Sequence, residues 1–230
     1  MIHAYGRPDP PVPRLLEALA ARGHAVKPAA AGRPNGPATL VLAAGAELDE
    51  MAFGVLLGAW RTAPGARVLV LSAIGAHPDA KEKRLRRLWR IEESARASGV
   101  PALTLRLAPM IGPRSPLWLR LRSRPRLLGG GRQLLNPVAE EDVVETLDRA
   151  CGGRVRWEGW YEVAGAEVFS LSDLARWAVE AGPRLPRGAG AWEPPLPELR
   201  EHRLCEARPW LEHFGLASPP LRARAAGWER

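Results

Sequence analysis

The sequence predicts an α/β fold, a reduced parallel sheet with helices on both faces, followed by a small C-terminal α+β lobe. Three observations predict it. The run Val68-Leu69-Val70-Leu71 is short, continuously apolar and half β-branched, as a strand buried on both faces of a parallel sheet must be. A charged helical stretch follows from about Lys81 to Ser98, with Gly99 placed to stop it in the left-handed conformation that glycine takes cheaply. Ala102–Leu107 then returns as a second buried strand, so residues 67–113 read as one right-handed strand–helix–strand crossover to which further layers are added.

From the N-terminus, Met1–Tyr5 is a short apolar strand and Leu15–Arg22 a helix closed by Gly23. A second, very short strand is expected at 24–27. Between the first strand and its helix, Pro8, Pro10, Pro11 and Pro13 have no N–H to donate. A rigid turn with Asp9 as N-cap and prolines in the first helical turn accounts for them. The segment KPAAAGRPNGPA from Lys27 to Ala38 is a loop by its Gly, Pro and Asn content, and a strand over 38–43 follows at once. Pro28 beside the short strand is tolerable because that strand is then outermost. Glu47–Arg61 is an amphipathic helix with Met51, Val55 and Leu56 on one side at helical spacing, closed by Pro64-Gly65.

Beyond the central crossover, Leu117, Trp118 and Leu121 form a helical stripe. Glu140–Ala150 is a helix with acids at its start, where they meet the macrodipole favourably, and Gly152-Gly153 at its end. Trp157–Val163 alternates as a strand. FSLSDLARWAVEAG is a helix with a Ser170-x-x-Asp173 capping box and Gly182 as its stop. Residues 183–197 are a Pro/Gly linker, and 198–214 an amphipathic helix interrupted by Pro209, which carries Trp210 and Phe214 to pack on the parent domain or another subunit. The expected organisation is one domain over 1–182, with its substrate-side lobe from about 109–182, then a linker and helical tail over 183–230.

The runs LSAIGAHPD, EESARASGVPALTLRLAPMIGP and GGGRQLLNPVAEEDVVETL, in that order and spacing, resemble the atypical short-chain dehydrogenase/reductase superfamily. That group includes NmrA-like regulators, NAD(P)-dependent epimerase-like proteins and the Rossmann-type accessory subunit of respiratory complex I. The resemblance covers residues 1–181, is strongest over 67–147, and implies a Rossmann-like NAD(P)-binding-type domain of which this chain is a degenerate member. In the family the first turn carries G-x-x-G-x-x-G, whose glycines let backbone approach a pyrophosphate at a helix N-terminus. Those positions fall on Gly6, Asp9 and Val12, with Arg7 and Arg14 as a partial electrostatic substitute. The adenosine-side elements are reduced to the 27–38 loop, where Lys27 and Arg33 read as ordinary exposed loop cations, with contact to a 2′-phosphate as the alternative.

In active relatives a Tyr acts as general acid/base and a Lys four residues on holds the nicotinamide ribose, one helical turn putting both on one face. Those positions fall on Arg84 and Leu88. No shift of register restores the pair, because Tyr5 and Tyr161 have Asp9 and Gly165 four residues on. Ser72 stands where relatives carry a Ser or Thr that orients a carbonyl, although capping or turning is the plainer role. The resemblance leaves a residual cofactor pocket of Gly6, Arg7, Ala43, Ser72, Ala73, Pro109 and Met110, with NAD(P)H as the cofactor implied and no catalytic set.

No other chemistry replaces it. The five histidines are scattered without metal-ligand spacing. Cys151 and Cys205 form no CxxC and read as two reduced thiols. Glu92-Glu93 and Glu140-Glu141-Asp142 read as structural. No apolar run reaches the roughly 18–20 residues of a membrane span, and MIHAYGRPDP has no signal-peptide pattern. A cytoplasmic protein is expected, with peripheral attachment to a membrane complex left open.

The net charge of +8 comes from 33 basic residues, of which only Lys27, Lys81 and Lys83 are lysine, a pattern that GC-rich codon usage produces. Segments 81–90 and 114–132 interleave Arg with Leu and Trp. They suit an anionic membrane surface, nucleic acid or an acidic partner, or else a solvated arginine face over a core-facing stripe. Among nine tryptophans, Trp89, Trp118, Trp192 and Trp228 lie in polar or Pro-rich surroundings that suit either cover by a partner or half-burial. The expected function is a non-catalytic accessory, assembly or regulatory subunit that contacts a partner protein or its own copies. The alternative is an NAD(P)H-dependent oxidoreductase or epimerase with unorthodox cofactor binding.

Overall fold

The computed structural model describes residues 1–5, 12–29, 33–43, 50–123, 127–181, 199, 201–226 and 228. The chain forms two compact units, one of residues 1–106 and 144–161, the other of 107–143 and 162–230. In chain order the elements are β1 (Ile2–Tyr5), α1 (Val12–Ala21), β2 (Val26–Pro28), β3 (Ala38–Ala43), α2 (Glu50–Arg61), β4 (Ala66–Ala73), α3 (Lys83–Ala97) and β5 (Ala102–Leu107). There follow β6 (Met110–Ile111), α4 (Pro116–Arg122), β7 (Leu134–Leu135), β8 (Val138–Ala139), α5 (Glu140–Cys151), β9 (Trp160–Val163), β10 (Phe169–Ser170), α6 (Leu171–Glu180), α7 (Arg208–Phe214) and α8 (Leu221–Ala225).

The six-stranded sheet has the order β2-β1-β3-β4-β5-β9. β1 pairs in parallel with β2 and β3, and β3 in parallel with β4. Successive bonds from Thr104 N to the Gly159 carbonyl and from Ala108 N to the Val163 carbonyl advance four residues on both chains, which is the parallel register of β5 and β9. The sheet turns outward from β1 in two directions, so right-handed crossovers put α1 on one face and α2 and α3 on the other. Side-chain alternation agrees. Leu40, Leu42, Val68 and Val70 pack with Phe53, Trp60, Leu85, Leu88 and Ile91 of α2 and α3, while Val41 and Leu69 point to the opposite face.

β2 is the sheet edge expected of the shortened loop. It lies over 26–28 rather than 24–27, and the Pro28 ring replaces an N–H on a strand with no outer neighbour. Gly99 follows α3 with φ of 75°, as its stop requires. α2 departs from expectation in its orientation. Leu56 is buried with Phe53, Leu57 and Trp60, whereas Met51 is 80% and Val55 71% exposed. The helix is apolar on every side between Met51 and Trp60, so periodicity alone does not choose the core face.

In the second unit β6 pairs in parallel with β8 and β7 antiparallel with β10. Ser115 caps α4 by accepting the Trp118 N–H, and Leu117, Trp118 and Leu121 are buried. Trp118, for which cover by a partner, half-burial and a core-facing stripe were all open, is buried and packs edge-on against Trp177 and Trp228, with centroids at 4.8 and 5.7 Å. Ser170 caps α6 by accepting the Asp173 N–H at 3.0 Å while donating its hydroxyl to the Asp173 carboxylate at 2.6 Å.

The tail beyond the linker belongs to this unit. Among the described residues it carries no long helix interrupted by Pro209, because that proline lies in the first turn of the short α7, where its missing N–H costs no intrahelical bond. Before α7 the chain runs extended beside β7, with Arg203 bridging Leu135 and the Asn136 amide donating to the Cys205 carbonyl at 2.9 Å. Ser218 and Arg224 both reach Asp142, and the Trp228 indole donates to Glu141 at 2.8 Å. No helix among the described residues is long and apolar enough to cross a membrane. The linker expected at 183–197, with Trp192, lies outside the described residues.

Candidate functional site

Helix α3 carries positions 84, 88 and 92 on one face, one turn apart. Arg84 is half-buried. Leu88 is 2% exposed and packs in the core cluster with Leu85, Ile91 and Val70. Glu92 is buried, and its carboxylate joins a three-residue network within the first unit. From β5 the Arg106 guanidinium donates through Nε to both carboxylate oxygens at 3.1 Å and through Nη2 to Oε2 at 2.6 Å. From β4 the Ser72 hydroxyl donates to Oε1 of the same carboxylate.

The other face of the guanidinium lies 4.3 Å from the ring centroid of Trp160 on β9, a cation–π contact. One residue from each of three neighbouring strands and one from the covering helix therefore converge on a single buried ion pair. A buried carboxylate is tolerated only when its acceptor sites are filled, and here Arg106 and Ser72 fill them. Glu93, one residue on, pairs with Arg96 of its own helix. The opposite charges expected along α3 thus balance Glu93, while Glu92 answers to a strand arginine. The sequence does contain that signal, since Arg106 interrupts an otherwise apolar strand and a charge at such a place needs a partner.

The other residues of the expected pocket fall as follows. Gly6, Arg7 and Asp9 lie outside the described residues. Ala43 ends β3 and Ala73 ends β4, the latter packing partly buried against the α2/α3 core. Ser72 neither caps nor turns, because its hydroxyl is committed to Glu92. Pro109 and Met110 belong to the second unit, where the Pro109 carbonyl accepts from Val138 N at 3.1 Å and Met110 pairs with Val138 in β6.

A nicotinamide dinucleotide held in the family's manner does not fit these residues. Pro13 occupies the first turn of α1 and removes one of the N–H groups a diphosphate would take there. Leu88 supplies no ammonium to a ribose, and the Ser72 hydroxyl already has an acceptor. No cluster of metal-binding side chains occurs among the described residues. Both thiols are poor nucleophiles: burial and the nearby Asp148 push Cys151 up to about 12, and burial with Glu162 does the same to Cys205.

No protein-family model and no curated protein matches the sequence, but solved structures do match the fold. MoeE5 in complex with UDP-glucuronic acid and NAD superposes with a TM-score of 0.73 at 16% identity, covering 99% of this chain and 98% of that one. The UDP-N-acetylglucosamine 4-epimerase from Bacillus cereus gives 0.69 at 10% identity, covering 99% and 97%. WbmG from Bordetella bronchiseptica, in complex with NAD and UDP, gives 0.64 at 14% identity, covering 99% and 94%. The chain has the Rossmann-like, epimerase-type α/β fold of these proteins, as the resemblance in its sequence implied.

Proposed function

We propose that this chain is a non-catalytic protein of the epimerase-type Rossmann-like fold, acting as an accessory, assembly or regulatory subunit through protein contacts. The observation that carries the proposal is the state of α3. The positions that hold a general acid/base and its cationic helper in active relatives are an arginine and a core leucine, and the serine facing them is bound to Glu92. Moving a proton to and from a sugar hydroxyl needs a group with a suitable pKa within hydrogen-bond reach. A guanidinium and an isobutyl group provide neither acid nor base.

Incubating the full chain with NAD and UDP-glucose, UDP-glucuronic acid or UDP-N-acetylglucosamine, followed by chromatographic analysis of the sugar, tests this. No epimer or dehydrated product is expected above a protein-free control. Product that scales with protein concentration and vanishes in Ser72→Ala would overturn the reading.

A second reading, an NAD(P)H-dependent oxidoreductase or epimerase with unorthodox cofactor binding, is favoured by the likeness over nearly the whole chain to structures that contain NAD. Calorimetric titration with NADH and NADPH addresses it. Micromolar saturable binding supports this reading, and silence to millimolar concentration removes the dinucleotide from the account.

A further inference from the structure

We propose that the extended segment 201–206 is an edge strand through which two copies of this chain pair antiparallel, each continuing the small β7/β10 sheet of the other. The inference goes beyond the non-catalytic reading and does not depend on it. The segment lies in the second unit and bridges β7 at Leu135. Arg203 makes both main-chain bonds to β7, its N–H donating to the Leu134 carbonyl at 2.8 Å and its carbonyl accepting from the Asn136 N–H at 3.4 Å. Successive residues of a strand direct these groups to opposite edges, so those of His202 and Leu204 face away from β7. Among the described residues the main chain of neither makes a hydrogen bond. An open edge of this kind is a template for a further strand, and neither lysine nor proline stands at 202 or 204 to blunt it. Side chains 202, 204 and 206 are exposed, whereas 201, 203 and 205 are covered in part. Leu204, 45% exposed, and Leu134, 36% exposed, make the outer face apolar at its centre.

Two side chains select the occupant. His202 accepts the Leu134 N–H at Nδ1, 3.0 Å away, so the neutral ring carries its proton on Nε2, a donor without an acceptor among the described residues. Glu206 presents an exposed carboxylate. The two stand four residues apart on one strand, about 13 Å, and cannot meet within the chain. A two-fold axis at Leu204 brings them together. Leu204 then meets its own counterpart, and each His202 stands opposite Glu206 of the other copy. Arg203 falls opposite Cys205, whereas a register centred on 203 would oppose two arginines, which is unfavourable. α7 begins at Arg208, so the pairing uses the whole extended segment.

Sedimentation of the full chain, from micromolar to sub-millimolar concentration, is expected to show a monomer–dimer equilibrium. Leu204→Pro removes the central outward N–H and Leu204→Lys sets two ammonium groups face to face, and each should weaken self-association about ten-fold or more. Oxidation reads the register. Leu204→Cys should give a disulfide-linked dimer, since directly paired residues have Cα atoms about 5.5 Å apart, whereas Glu206→Cys and the parent should not. Thermal unfolding at low concentration controls for the fold, and Leu204→Lys should melt near the parent because its side chain is largely in solvent. The proposal fails if the chain stays monomeric, if a dimer resists both Leu204 variants, or if cross-linking favours 206 over 204. A dimer that dissociates in Val55→Asp but not in Leu204→Lys lies on the exposed side of α2 and overturns it. So does a monomer that binds an unrelated extended Val/Thr peptide and loses it in Leu204→Pro, which gives the edge to a foreign strand. Sugar turnover would remove the non-catalytic reading without touching this pairing.

Discussion

Removing Arg106 would leave the Glu92 carboxylate buried with the Ser72 hydroxyl as its main donor. Stripping one partner from a buried ion pair costs about 3–5 kcal/mol, whereas replacing both by apolar residues is often near neutral. Arg106→Leu is therefore expected to lower unfolding stability by about 3 kcal/mol or more in urea titrations, and Glu92→Leu/Arg106→Leu to recover most of that loss. Ser72→Ala, which removes one donor to a charged acceptor, should cost about 1–2 kcal/mol. Equal losses for the single and double variants would show that the two side chains are not coupled. The thiols make a second prediction at this scale. With both pushed up to about 12, Cys151 and Cys205 should react slowly with a disulfide reagent at pH 8 in the native protein and rapidly in denaturant.

The two glycines of α2 and the clasp between α1 and α5 are properties of whole helices. Gly58→Ala places a methyl in open space on an ordinary helical backbone, so it should raise stability by up to about 1 kcal/mol. At the end of α1, Arg22 donates to Glu145 at 2.7 Å, and Arg149 donates to the same carboxylate at 2.9 Å. These bonds, Arg149 first and then Arg22, lower the Glu145 pKa from its ordinary 4.5. A carboxyl with a depressed folded-state pKa stabilises fully above its unfolded value and loses that contribution as pH falls through the folded one. Stability should thus fall more steeply below about pH 4.5 in the parent than in Glu145→Gln, by a modest amount because the pair is partly exposed.

Elements with a single physical cause were legible in the sequence. β4 contains the continuous apolar run 68–71, β5 is apolar apart from Thr104 and Arg106, and the stops of α1 and α3 are glycines with positive φ. α2 was legible as a helix but not in orientation, since its apolar residues surround it. Pro209, in the first turn of α7, was read as an interruption because proline fits both descriptions.

For the molecule as a whole, the parallel sheet and its shortened edge were legible in the chain, whereas β9 was legible as a strand but not as a member of that sheet. The placement that the resemblance gives to Arg84 and Leu88 was also readable. What occupies Ser72 was not, since its partner Glu92 is itself held by a residue on another strand. The route of the tail was equally hidden, because Asp142 and Glu141 read as helix-start acids while also receiving Arg224 and Trp228.

We propose that an epimerase-type fold persists here without hydride chemistry. A single-turnover experiment tests it most directly: the protein in excess over UDP-glucose with NAD present, watched at 340 nm for the reduced nicotinamide of a half-reaction. A flat trace over many hours is expected. A stoichiometric rise, abolished by Ser72→Ala but not by Val55→Asp, would contradict it.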